Sequence, residues 1–312
     1  MNIISKLVSV AIIAFSLAGA SSSAAGTGDL NLDFAESLYM ERDYYRAISE
    51  YKRYIFLNAG GKNVPFARFR IGLCYMGGDK YFEASNVLVK IWDDFPMSPY
   101  SIAGTYHAGI SYLKGGAAEF AIANFKKLAM DESQGRTFYE ASRFLIGYSH
   151  LEMNNWKKTR EEMSAFSKDF PSSPLSKNSE NIVKKIDGMN DLPRKSPVLA
   201  GVLAIVPGLG HLYDERELDA LQSFIMNGVF GYLTYYSYYS EQRYGGDHKN
   251  FTPTFVLGGI TALFYSANIF GAVNSARNAN AIIRGNYING MRNDNRDALE
   301  TLYNLETKEP PK

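Results

Sequence analysis

The chain has 312 residues, long enough for two domains, and 46% hydrophobic residues are enough for a sizeable core. Thirty-three Lys and Arg against thirty-two Asp and Glu leave a net charge of +1, so there is no overall basic field to draw in nucleic acid, and no such partner is expected. One cysteine, Cys74, excludes an intramolecular disulfide framework and a thiolate-rich metal site, and four scattered histidines leave little for zinc.

Residues 1–25 open with the amino terminus and Lys6, continue through the apolar run Leu7 to Leu17, and end in Gly19 and the small residues Ala20 to Ala25. This is the pattern of a signal peptide, cut after Ala24 or Ala25. The apolar run is short for a membrane anchor. No cysteine near the cut offers a lipid acceptor. The next domain is therefore expected outside the cytoplasm.

From 26 to 187 the chain repeats itself. A small residue is followed by a bulky one three on, an aromatic or small one nine on, a small one twelve on and a bulky one sixteen on. The four instances are Ala35/Leu38/Tyr44/Ala47/Tyr51, Gly72/Tyr75/Tyr81/Ala84/Leu88, Gly109/Tyr112/Ala118/Ala121/Phe125 and Gly147/His150/Trp156/Thr159/Met163. Their starts are 37, 37 and 38 residues apart. The apolar spacing within each unit predicts two amphipathic helices, and the small positions allow close helix contact. Met76-Gly-Gly-Asp79 and Lys114-Gly-Gly116 interrupt the pattern where the turn should fall. The Asp-Phe95-Pro96 and Asp-Phe170-Pro171 segments close the second and fourth units, since proline stops a helix.

At these residues the chain resembles tetratricopeptide (TPR) repeats, in the slightly long variety of bacterial envelope proteins. Ala118 in the third copy, and His150 and Thr159 in the fourth, depart from that pattern. The resemblance implies an all-α fold, an α-solenoid of about four helix pairs, whose concave groove binds a protein or peptide partner without catalysis. In the register of the repeat, Phe66, Phe69, Leu73, Tyr106, Ile110, Phe144 and Tyr148 lie toward the groove or its edge. An ordinary core between repeats would show the same apolar stripe.

Residues 188–197 read as a polar linker, after which composition changes. No Asp, Glu, Lys or Arg occurs between Ala220 and Ser240, about 21 residues, or between Phe251 and Ala276, about 26, each enough to cross hydrocarbon as a helix. Transmembrane helices are expected over 219–240 and 251–276, joined by a loop over 241–250. Tyr235 to Tyr239 and Phe251 supply aromatics for the membrane interface. An amphipathic helix and polar tail over 277–312 complete the chain. The segment 198–213 is short for a span and broken by Pro207-Gly208-Leu209-Gly210, and reads as an interfacial or re-entrant helix. The stretch from Ser196 to Tyr213 is similar to the opening of a family of small bacterial membrane domains, some fused to TPR repeats, with the pattern Pro-Gly-x-Gly-Gln-x-Tyr. His211 stands where that family has Gln, and the resemblance, over about Ser196 to Asn289, implies no assigned activity.

Two spans put the basic tail residues Arg277, Arg284, Arg292 and Arg296 on the side of the solenoid, against the positive-inside tendency; a third span over 198–213 would reverse this but leave an acidic cytoplasmic loop at Asp214 to Asp219. Two spans are preferred, because the apolar run of 198–213 is short and broken by Pro207. In the last span Ala267, Gly271 and Ser275 recur every four residues, a small-residue face that either packs within the hairpin or forms a homo-oligomer. No catalytic constellation, metal site or cofactor motif is present. His107 and His150 sit on solenoid helices, and Asp214, Glu215 and Glu217 read as a solvated turn. The expectation is a non-enzymatic, periplasm-facing scaffold or adaptor tethered to the inner membrane of a bacterial cell envelope. The alternative is a subunit of a membrane transport or insertion complex whose solenoid recruits substrate.

Overall fold

The computed structural model describes residues 27–305 apart from 131, 133 and 134. The expected signal peptide over 1–25 and the end of the polar tail lie outside the described residues. Among the described residues all regular structure is helical, as the all-α expectation requires. The chain divides into two compact units, one of residues 1–183 with 297–312 and one of residues 184–296.

The first unit is a row of helices, α1 to α8 each packed on the next: α1 (Thr27–Met40), α2 (Tyr44–Leu57), α3 (Val64–Gly77), α4 (Tyr81–Asp94), α5 (Pro99–Lys114), α6 (Ala118–Leu128), α7 (Arg136–Glu152) and α8 (Trp156–Asp169), followed by the start of α9 (Pro174–Asp187). The repeat read from sequence is also a repeat of backbone. Arg42, Asp79, Gly116 and Asn154 each have positive φ, between 55° and 78°. After each, the next amide donates to the carbonyl five residues earlier: Asp43 to Leu38, Lys80 to Tyr75, Ala117 to Tyr112 and Asn155 to His150, all at 2.8–2.9 Å. This is the left-handed helix stop that satisfies the carbonyls at a helix C-terminus.

The small and bulky positions sixteen apart meet across each pair. A Cβ on Gly72 would lie 2.3 Å from Leu88, one on Gly109 2.6 Å from Phe125, and one on Gly147 3.1 Å from Met163. The missing side chains let the paired helices approach, and the bulky partners fill the gap. Leu88, Phe125 and Met163 are fully buried. The departures are absorbed in place: Thr159 is buried and bonds back to Asn155 O at 2.9 Å, and His150 is buried on α7. In the second and fourth repeats Arg68 pairs with Asp94 and lies 4.9 Å over the Phe95 ring, while Arg143 pairs with Asp169 at 2.7 Å and lies 6.0 Å over Phe170. Those arginines hold the Asp-Phe-Pro corners.

The second unit holds α10 (Pro197–Leu203), α11 (Leu209–Tyr213), α12 (Glu217–Tyr244) and α13 (Thr252–Asn293). The segment over 198–213 is therefore two short helices meeting at a turn. Gly208 has φ 91°, and a Cβ there would lie 2.4 Å from the Ala220 carbonyl; one on Gly210 would lie 2.4 Å from the Ala200 carbonyl. Those two glycines are required by close backbone approach. α13 does not end with its apolar part at 276 but runs 42 residues, because Arg277 and the asparagines after it change polarity without interrupting the backbone. α12 and α13 lie antiparallel, with Phe230 stacked on Phe264 at 4.9 Å, Thr234 bonded to Thr261 at 2.8 Å and Ser237 to Thr254 at 2.9 Å. Of these helices α13 is long and apolar enough to cross a membrane, and only 11% of its apolar window is buried.

Candidate binding site on the helical array

The last helix, α14 (Arg296–Tyr303), belongs from Asp297 onward to the first unit. Leu299 and Leu302, one turn apart, are buried, while Asp297 and Glu300 remain exposed. Tyr106 on α5 donates its hydroxyl proton to Leu302 O at 2.9 Å, and His107 Nε2 lies 3.0 Å from Leu305 O. With its proton on Nε2 the imidazole is a donor to that carbonyl. Leu302 O is in the last turn of α14 and also accepts from Leu305 N–H at 3.3 Å, while Leu305 O lies two residues beyond the helix end.

Around these donors the array supplies aromatic surface. The His107 ring lies between Phe69 at 5.4 Å and Tyr106 at 5.6 Å, and Tyr106 also meets Phe138 at 5.0 Å. Tyr303 sits with Lys114 4.9 Å over its ring. Burial pulls the pKa of His107 down to about 4, the Leu305 carbonyl acting weakly in the opposite direction, so the imidazole is neutral at physiological pH. Burial raises the Tyr303 phenol above its ordinary range, and the nearby Glu152 charge adds to this. Beside α14 a cleft of about 410 Å³ opens between Ala298, Thr301 and Leu302 on one wall and Arg136, Glu140 and Leu175 on the other.

Of the residues read from the repeat register, Tyr106 touches α14 and Phe69 supports it through His107. Phe66 packs on Tyr100 at 5.4 Å, and Leu73 is half-buried in the core of the first repeats. Phe144 faces Phe166 at 5.5 Å within its own repeat, and Ile110 and Tyr148 are buried. His107 is a packed residue of α5 that also reaches the tail through Nε2. Leu299-x-x-Leu302-Tyr303 at helical spacing is the signal that could mark the tail as an apolar face, but no pattern in α14 points to its seat on α5. Near the first repeat, Arg70 pairs with Glu36 at 3.0 Å and lies 4.5 Å over Tyr39, while Tyr51 donates to the same carboxylate. This cluster packs the start of the array.

In the second unit, Asn268 is the central polar residue. Its Oδ1 accepts from Gly208 N–H at 3.1 Å and Ser223 Oγ at 2.7 Å, and its Nδ2 donates to Ala204 O at 2.6 Å. The buried stripe of α13 is Asn268, Ala272 and Ala276, meeting Ala200 and Ala204. Of the small residues singled out from sequence, Ser275 is buried, Gly271 lies against the His211 ring and Ala267 is exposed. The Asp214-to-Glu217 turn is not uniformly solvated. Glu215 pairs with Lys195 at 3.0 Å, but Asp214 is buried and neither of its carboxylate oxygens has a hydrogen-bond partner among the described residues. Among the described residues no group of three or more His, Cys, Asp or Glu side chains could hold a metal ion. Compared with known protein families and with characterised proteins, the chain matches none.

Proposed function

We propose that the protein is a membrane-tethered scaffold of a bacterial envelope. An exported TPR-type solenoid holds a protein or peptide partner, and the second unit fixes it to the inner membrane. The observation that carries this reading is the seat of α14. A short amphipathic helix is held on the array by two leucines and by donors aimed at its main-chain carbonyls, which is how a helical-repeat surface would hold a ligand.

The membrane attachment rests on the outward-facing apolar side chains of the second unit. Phe224, Phe255, Leu263 and Phe270 are all more than half exposed, a surface that lipid suits better than water. That α14 belongs to the same unit as the array supports a return of the chain to the side from which it entered, by an even number of crossings. With seven residues, α10 is about 10 Å long and cannot cross some 30 Å of hydrocarbon; α12 at about 42 Å has the length for it, and α13 at about 63 Å has both the length and the apolar composition. A two-span hairpin satisfies the count. The basic residues after Arg277 then share the compartment of the array, so the exported address rests on the N-terminal pattern.

Single cysteines at Ser172, Gly246 and Asn304 test the arrangement by labelling of intact cells with a membrane-impermeant maleimide. Ser172 and Asn304 are expected to label together and Gly246 to stay protected. Labelling of Gly246 without Asn304 would overturn the two-span scaffold. A photo-cross-linking residue at Thr137, on the wall of the cleft, is expected to trap one discrete partner in those cells. Cross-links confined to the chain itself, or channel-like conductance from the purified protein in planar bilayers, would remove the scaffold reading.

A further inference from the structure

We propose that the face of the array at Tyr106 and His107 docks a partner's short amphipathic helix and that α14 is the built-in, displaceable occupant of that site. This rests on the scaffold reading and adds to it the chemical form of the ligand and a means of control.

The polar contacts across the site recognise a helix rather than a sequence. The acceptors for Tyr106 and His107 are main-chain carbonyls, Leu302 O in the last turn of α14 and Leu305 O in the chain just past it, groups that carry no side-chain identity. Sequence enters through leucine at two positions three apart, Leu299 and Leu302. A partner helix with that spacing would meet the same donors and the same apolar wall.

α14 is also a poor ligand for its own site. Eight residues are about two turns, well below the length at which a helix holds together in water, so it forms only against the array. It fills the site incompletely. The cleft of about 410 Å³ adjoins Ala298 and Thr301, whose side chains are too short to reach the wall at Leu175. A partner with bulky apolar residues at those two positions would fill space that α14 leaves open. The preferred ligand is thus a helix with bulky apolar residues at the positions of Ala298, Leu299, Thr301, Leu302 and Leu305.

Tethering offsets the weakness of α14. Because it is part of the same chain, its effective concentration at the site is high, and a free helix must out-compete it. Any change that evicts α14 should therefore expose the site and tighten binding of an external helix.

The test uses full-length protein in detergent and two fluorescein-labelled peptides read by anisotropy. One has the sequence of residues 295–307, and the other carries Thr301→Leu. The protein with both Leu299→Asp and Leu302→Asp is expected to bind the first peptide at least about 10-fold more tightly than the unaltered protein. The Thr301→Leu peptide is expected to bind either protein about 5-fold more tightly than its parent, since it fills the cleft. Tyr106→Phe, added to the evicted protein, is expected to weaken both peptides about 5-fold by removing one donor. Protection of the buried Cys74 from maleimide reports that the array is folded. If the double variant loses that protection, Tyr303→Ala takes its place, and the two-peptide comparison on unaltered protein needs no variant. Equal affinity of evicted and unaltered protein for the first peptide would overturn the occupancy, and a folded array that binds neither peptide would overturn the site. The scaffold reading fails separately, through the absence of a cross-linked partner in cells.

Discussion

The two units solve the burial problem in opposite ways. The array turns its bulky side chains inward: Tyr51, Leu88, Phe125, Phe144 and Met163 are fully buried, and glycines opposite three of them make the room. The second unit turns its bulky side chains outward and builds its centre from Ala200, Ala204, Ala272 and Ala276 around the amide of Asn268. Water rewards the burial of large apolar groups, whereas lipid gives no such reward and leaves close contact and hydrogen bonding to hold helices together. The same chain therefore carries two kinds of core, as the proposed membrane attachment of the second unit would require.

That contrast is most easily broken at an aromatic residue. Phe144→Ala is expected to destabilise the array by about 4 kcal/mol, because a fully buried ring packed on Phe166 leaves a cavity. Chemical denaturation followed by circular dichroism measures it. A loss of under 1 kcal/mol would mean that the array is not packed as described.

A second expectation concerns pH and belongs to the array alone. Above about pH 6.5 His107 is neutral in both folded and unfolded chains, and it costs nothing. As the pH falls from 6.5 toward 4, the unfolded chain takes up the proton and the folded one does not, so stability falls, by about 3 kcal/mol in all. Below about 4 the loss levels off. His107→Gln is expected to flatten that part of the curve, and an unchanged slope would show that the imidazole is not buried.

For the second unit the sensitive position is polar. Asn268→Leu removes three hydrogen bonds and strands Gly208 N–H and Ala204 O, at a cost of about 2 kcal/mol read by unfolding in mixed micelles. The smallest effect sharpens the contrast most. Phe270→Ala, at a ring 66% exposed, is expected to change stability by about 0.5 kcal/mol or less when the protein is in lipid. A cost like that of Phe144→Ala would mean that the ring is covered by another protein surface.

Much of the array was legible in the sequence because its determinants are local. A turn that needs a left-handed residue recurs at Arg42, Asp79, Gly116 and Asn154, and the small and bulky partners recur sixteen apart. Each relation spans a single helical hairpin, so one period in the sequence exposes it. The candidate site was only partly legible. Tyr106 stood in the groove register, but its neighbour His107 joins the site only because α14 arrives there, almost two hundred residues on.

By itself the sequence determined the helices, their pairing into repeats and the apolar character of the second unit, since composition and short-range periodicity dictate which face of a helix must leave water. Only the tertiary structure decided which surfaces meet. It set the packed stripe of α13 on Asn268, Ala272 and Ala276, one residue round from the stripe at Ala267 and Gly271, and it returned α14 to the array. A helix's pattern says how wide its apolar face is, while the partner for that face depends on shape and on donors placed by distant parts of the chain.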